Sequence, residues 1–245
     1  MKLYIDEAWR WPLAWPLHVG IILPLKRFNK KKFKDSKKLT QKQRNKLFQD
    51  IKSLQNKWAL IYSTGIVNNQ EIDFLWLSKA INLAIKRGVF DILKDYYQNF
   101  LKFSLSKWLC SCDILNKFAI ENILQKTSND FSTEDLIELI SIIAQTNAID
   151  EIVIDWNHKF WLDKDLKIKI KTVIKWDDKI PSISMASIVA KVTRDNRMIE
   201  FADHKYPQYN FKQHKWYGTK EHIHLIVEKW QCDIHRNLFL RKINI

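Results

Sequence analysis

Four glycines in 245 residues are too few for the fold that the rest of this chain specifies. Average usage near 7% would supply roughly 17, and a packed α/β chain needs residues that accept φ > 0 without a Cβ clash at tight turns and close backbone contacts. Tryptophan is correspondingly inflated, at 11. The anomaly is concentrated in IDEAWRWPLAWPLHVG, residues 5 to 20, where Trp9, Trp11 and Trp15 fall within seven positions beside two prolines and an acid pair. Small turn residues would fit there better, so the deficit and the excess are one fact.

Periodicity divides the chain into alternating strands and helices. Residues 2 to 6 and 17 to 23 are short strands, followed by a basic loop, FNKKKFKDSKK, from Phe28 to Lys38. A helix follows from Thr40, its N-cap, to about Leu54. Residues 59 to 67 alternate as a strand, and a helix runs from Glu71-Ile72-Asp73 to about Arg87. Strand character returns in EIVID, 151 to 155, and KIKIKTVIK, 167 to 175. A helix starting near Ser184 carries SMASIVAKVTRDNRMIEFA, and the chain ends in a polar helical region. This alternation predicts an α/β architecture around a central sheet, and 46% apolar residues are enough for one sizeable core.

Composition changes between Gly88 and Asn147, where five basic residues face eight acidic ones. Ser132 and Asp135 form a capping-box-like pair ahead of apolar positions 136, 139, 140 and 143. The segment 89–147 is therefore expected to be a helical insertion in a domain built from 1–88 and 148–245. Its acidity argues against its lying on a phosphate backbone.

The whole chain carries 41 Lys and Arg against 27 Asp and Glu, a net +14 that points to a polyanion such as nucleic acid. An AT-rich gene, which enriches Lys, Asn and Ile together, is the other reading of that charge. Three cysteines without a spacing framework argue against a disulfide scaffold or a zinc site and fit a reducing compartment. Asp6, Glu7 and Arg10 interrupt the apolar N-terminal runs, so neither a signal peptide nor a membrane span is expected there, and the expected location is cytoplasmic.

Four acids stand at strand ends: Asp6 and Glu7 after the first strand, Asp155 at the end of IVID, and Asp177 after TVIK. Such carboxylates, if they converge, repel one another unless divalent cations neutralise them, and hard Mg²⁺ or Mn²⁺ prefers oxygen ligands. A lone Asp at a strand end is ordinarily a turn cap. Here the acids keep company with Arg10, with Asn157 and with SIVAKVTRD.

At these residues the chain closely resembles bacterial ribonuclease HII. The family's IDEAGRGPLAGP stands here as IDEAWRWPLAWP, its DSKKL as Asp35 to Leu39, its EID as Glu71-Ile72-Asp73, and its IDGN as Ile154-Asp155-Trp156-Asn157. Its KGD is Lys175-Trp176-Asp177, its ASI.AKVTRD runs from Ala186 to Asp195, and its YP.Y.F..HKGYGT..H from Tyr206 to His222; His235, Arg236 and Phe239 close the match. The sister ribonuclease HIII fits less well, because Arg10 stands where that family is expected to have lysine.

The resemblance implies a ribonuclease H-like fold: a mixed five-stranded sheet flanked by helices, with a C-terminal helical region bordering the substrate groove. It implies a monomeric endonuclease that cleaves the RNA strand of RNA·DNA hybrids and incises duplex DNA at embedded ribonucleotides, leaving 5′-phosphate and 3′-hydroxyl ends. Two Mg²⁺ or Mn²⁺ ions held by Asp6, Glu7, Asp155 and Asp177 would activate the attacking water and stabilise the leaving 3′ oxygen. The turn Trp9-Arg10-Trp11 would meet the ribose 2′-hydroxyl, and Tyr217 the sugar at the junction. Ser187, Lys191 and Arg194, spaced for one helix face, together with Lys37 and Lys38, are candidates for phosphate contacts; a solvated face is the alternative for the cations. His214 and His235 are structural or near the substrate, while His222 and His224, two residues apart, match no role.

Trp9, Trp11, Trp15, Trp156, Trp176 and Trp216 fall where the family has glycine, and Trp76 and Trp230 are assigned with them. The expectation is that UGA codons meaning glycine were translated as tryptophan. Trp58, Trp108 and Trp161 stay open. If the tryptophans are genuine, the alternative is a nucleic-acid-binding homologue with impaired catalysis, although clustered acids are of no use to a simple phosphate binder.

Overall fold

The computed structural model describes residues 1–8, 12–29, 32–33, 36–101, 121–147, 149–173 and 180–241. Five strands, β1 (Lys2–Ala8), β2 (Leu17–Pro24), β3 (Leu60–Val67), β4 (Glu151–Asp155) and β5 (Lys169–Val173), form one mixed sheet in the order β3-β2-β1-β4-β5. β1, β2 and β3 pair antiparallel, whereas β4 and β5 continue the sheet parallel to β1. The mixed five-stranded α/β sheet expected from the sequence is therefore present.

Local chemistry sets the helix starts. Helix α1 (Gln41–Asn56) opens on a capping box in which the Thr40 hydroxyl accepts from the Gln43 amide and Gln43 Oε1 accepts from the Thr40 amide. Asn68 and Glu71 make the same reciprocal pair at the start of helix α2 (Asn69–Tyr96). Glu71 also holds the Arg87 guanidinium at 2.7 Å, and Asp73 accepts the amides of Asn237 and Leu238. The acids of the EID motif thus fasten α2 to itself and to the C-terminal turn. Helix α3 (Thr133–Asn147) starts at the expected Ser132–Asp135 pair.

Helix α2 runs past Gly88, so the boundary drawn from composition falls inside it; Val89, Phe90 and Leu93 pack in the same core as Ile5 and Ile154. Leu136 and Leu139 of α3 join that core. The opposite face of the sheet is covered by α1 and by helix α4 (Pro181–Arg197), with Phe48, Ile51, Met185 and Val189 packed on Ile22 and Leu60.

Two glycines let the helices lie close to the sheet. A Cβ on Gly20 would stand 2.1 Å from the Ala186 carbonyl oxygen of α4, and one on Gly65 would stand 1.7 Å from that of Ala84 in α2. The first contact sets the height of α4 above β1 and β2, and with it the position of every side chain α4 sends toward Asp6.

A third cluster, built on Trp15, Phe211, Trp216 and Ile226, holds the C-terminal region together. It is stitched to the segment after β1 through the Leu13 and Trp15 amides, which donate to the carbonyls of Trp216 and Ile234. Helix α5 (Lys220–Lys229) lies in this region. No described helix is long and apolar enough to cross a membrane.

Candidate active site

Register brings two of the expected acids together. Ile5 pairs with Ile154 across the parallel β1–β4 ladder, so the next residues, Asp6 within β1 and Asp155 at the end of β4, stand on neighbouring strands just past the last ladder pair. Asp6 is buried, and burial is the main cause that raises its carboxyl pKa to about 6; Asp155 adds repulsion, while Ser187 and Lys191 partly offset it. Burial, then the Asp6 charge, pushes Glu7 well above the usual carboxylate range. Glu7 Oε2 is enclosed and has no hydrogen-bond partner among the described residues.

Helix α4 supplies the polar wall. Lys191 donates to Ser36 Oγ, and Ser36 Oγ lies 2.8 Å from Ser187 Oγ. An ammonium can only donate, so Ser36 Oγ accepts from Lys191; the Asp6 carboxylate can only accept, so the single Ser187 hydroxyl proton goes to it and Ser36 donates to Ser187. A directed chain of hydroxyls therefore joins a cation to a buried acid. Ser36 was not singled out in the sequence, although it lies in the DSKKL stretch; only its distance from Ser187 reveals the role.

The other expected site residues divide. Lys38 is exposed on the Ser36–Lys38 turn, and Lys37 is on the same turn. Tyr217 is 40% exposed beyond α4. Arg194 differs from an exposed phosphate contact: it is fully buried, it pairs with Asp195 at 3.3 Å, and its Nη2 donates to the Lys215 carbonyl at 3.2 Å. About two turns along α4 from Ser187, its guanidinium lies over the Trp216 ring of the C-terminal cluster, 5.7 Å from the centroid. Trp9, Arg10, Trp11 and Asp177 lie outside the described residues.

Among the described residues, no three His, Cys, Asp or Glu side chains stand close enough to hold an ion by themselves. The donor set still fits a hard divalent cation. Adjacent carboxylates with raised pKa values and an enclosed, unpartnered oxygen on Glu7 are stabilised by a positive charge bound to oxygen.

The sheet order, with acids on the adjacent parallel strands β1 and β4 where their ladder stops, defines a ribonuclease H-like α/β protein. Solved structures of similar fold include ribonuclease H2 from Pyrococcus horikoshii OT3 (TM-score 0.57, 22% identity, 99% of this chain and 96% of that one). The ribonuclease HII in a PCNA complex from Archaeoglobus fulgidus matches at TM-score 0.58 and 19% identity, over 100% and 96% of the two chains. The Ribonuclease HII family model matches residues 3–94 and 102–242. Relatives named Ribonuclease HII are 32% identical in Caldicellulosiruptor saccharolyticus, over 98% of this chain and 86% of that protein, and 33% identical in Clostridioides difficile, over 98% and 69%. The chain belongs to the ribonuclease HII family and is a ribonuclease H enzyme.

Proposed function

We propose that this protein incises nucleic-acid duplexes at ribonucleotides by metal-dependent hydrolysis, using Asp6, Glu7, Asp155 and Asp177. Family membership carries the coarser part, ribonuclease H endonuclease activity on RNA·DNA hybrids. The observation that supports the finer part is the adjacency of Asp6 and Asp155 on the neighbouring strands β1 and β4, beside the Lys191–Ser36–Ser187 chain. Two Mg²⁺ or Mn²⁺ ions, when bound, supply Lewis acidity at the scissile phosphate and offset charge on the leaving oxygen. The carboxylates hold them, Ser187 orients Asp6, and Lys191 balances the buried charge. Lys37 and Lys38 meet the nucleic-acid backbone, and Tyr217 offers its exposed ring to a sugar. The turn 9–11 reads the 2′-hydroxyl, and the protein acts as a monomer in the cytoplasm.

The native residue at the anomalous tryptophan positions is glycine, encoded by UGA. Among the described residues, ten non-glycine residues have left-handed φ, and six are Trp15, Trp58, Trp76, Trp161, Trp216 and Trp230. Trp76 (φ 64°, ψ 157°) and Trp230 (φ 63°, ψ 175°) occupy a region open essentially to glycine alone. Trp58 holds the position after α1 where the Trp58 amide bonds Gln55 and the Ala59 amide bonds Leu54, a Schellman ending that favours glycine. The indole nitrogens of Trp15 and Trp216 are buried without acceptors. Trp156 lacks a left-handed φ, so its assignment rests on the motif.

The test is incision of a duplex containing one ribonucleotide, with Mg²⁺ or Mn²⁺, by the glycine-restored chain and an Asp155→Asn control. Metal-dependent cutting lost in the control supports the reading; a restored chain that binds the duplex without cutting it overturns the reading. The codons at the eight assigned positions test the glycine assignment, and codons other than UGA end it.

A further inference from the structure

Three histidines away from the carboxylates are buried together: His214, His222 and His235. Thr219 caps α5 by accepting from the His222 amide, which sets His222 in the first turn, facing inward. Their tautomers follow from the partners. The Cys232 amide, which can only donate, lies 3.0 Å from His235 Nδ1, closer than the 3.3 Å from that nitrogen to the Cys232 carbonyl oxygen, so the proton of the neutral ring is placed on Nε2. His235 Nε2 stands 3.1 Å from His222 Nε2, which must therefore accept, leaving the His222 proton on Nδ1, 2.9 Å from the Tyr217 carbonyl oxygen.

His214 holds the neighbouring residue of the same turn. The Trp216 amide donates to His214 Nδ1 at 3.2 Å, and His214 Nε2 donates to the Tyr209 carbonyl at 2.7 Å. The His214 and His222 rings stack with centroids 4.2 Å apart. Two imidazoles of opposite tautomer thus clamp the backbone of residues 216 and 217, while the Tyr217 ring stays exposed. A second proton on His214 would set two donors against each other at Trp216, and one on His222 would do so at His235.

We propose that His214, His222 and His235 are positioning residues, a neutral relay that fixes the turn from which Tyr217 meets the substrate. The inference rests on the reading of Tyr217 as a sugar contact. It assigns a role to His222, which matched none in the sequence, and it acts through backbone atoms whatever side chain stands at 216.

Imidazole nitrogen–proton correlation spectra of the full chain at neutral pH should show His222 protonated at Nδ1, and His214 and His235 at Nε2. A His222 carrying its proton on Nε2 overturns the relay. Kinetics on the single-ribonucleotide duplex, with the chain used in the incision assay, add a second readout. His222→Leu should lower kcat/KM about tenfold, and His222→Gln, which keeps a donor and an acceptor, should recover most of it. In a Tyr217→Ala background His222→Leu should cost nothing further; independent, additive losses overturn the proposal. If Tyr217→Ala alone leaves kcat/KM unchanged, the substrate role of Tyr217 fails and takes the proposal with it, while the tautomers show whether the clamp itself exists. Should His222→Leu not fold, His235→Gln enters the same cycle with the same two outcomes.

Discussion

Ser36 and Ser187 are 151 residues apart in sequence, yet their hydroxyl oxygens lie 2.8 Å apart beneath Asp6. The contact ties the loop that carries Lys37 and Lys38 to helix α4, so the candidate phosphate contacts and the acid site share one support.

Because each hydroxyl in this chain both accepts and donates, Ser36→Ala and Ser187→Ala should each destabilise the protein by about 1 kcal/mol. The double variant should lose less than the sum, with coupling on the order of 0.5 kcal/mol or more, as measured by urea unfolding. Additive losses would mean the hydroxyls do not act as a chain.

Asp6→Asn and Asp155→Asn should reduce metal-dependent incision ~100-fold or more, by analogy with the loss of other electrostatic contacts to a reacting centre. In metal-free buffer the same variants should melt no lower than the parent, because each removes repulsion between buried carboxylates. Added Mn²⁺ should raise the Tm of the parent more than that of either variant.

The three histidines make the fold acid-sensitive. Burial lowers all of them, His222 to about 3 and His235 to about 4, with Asp233 and Glu221 giving only partial compensation at His235 and His214. A depressed histidine binds fewer protons folded than unfolded, so its contribution is intact above the unfolded value near 6.5 and declines as pH falls toward 3 to 4. Each unit of depression is worth roughly 1.4 kcal/mol. Urea midpoints should fall between pH 7 and pH 4, and His222→Leu should flatten that slope; an unchanged slope contradicts the burial of a neutral His222.

Trp76→Gly and Trp230→Gly should each raise stability by about 1–3 kcal/mol by relieving backbone strain, read as an increase in Tm. Gly20→Ala should act in the other direction, costing about 3 kcal/mol, since its Cβ would stand 2.1 Å from the Ala186 carbonyl oxygen of α4.

Much of the fold was legible because it is local. The caps at Thr40 and Ser132 and the strand patterns of β1 to β5 depend on residues within a few positions of one another, so composition and spacing carry them. The boundary at residue 88 was misleading, because charge changes there while the helix and its buried face continue to Tyr96. The acids were visible as residue types at strand ends, but the adjacency of Asp6 and Asp155 depends on which strands pair and in what register.

By itself, the sequence determined the family and the alternation of strands and helices. Tertiary structure alone decided that Ser36 supports Ser187, that Arg194 turns inward, and that three histidines hold one tyrosine turn. These contacts join distant segments through hydrogen bonds a few ångströms long, and no spacing along the chain encodes such distances before the helices have settled on the sheet.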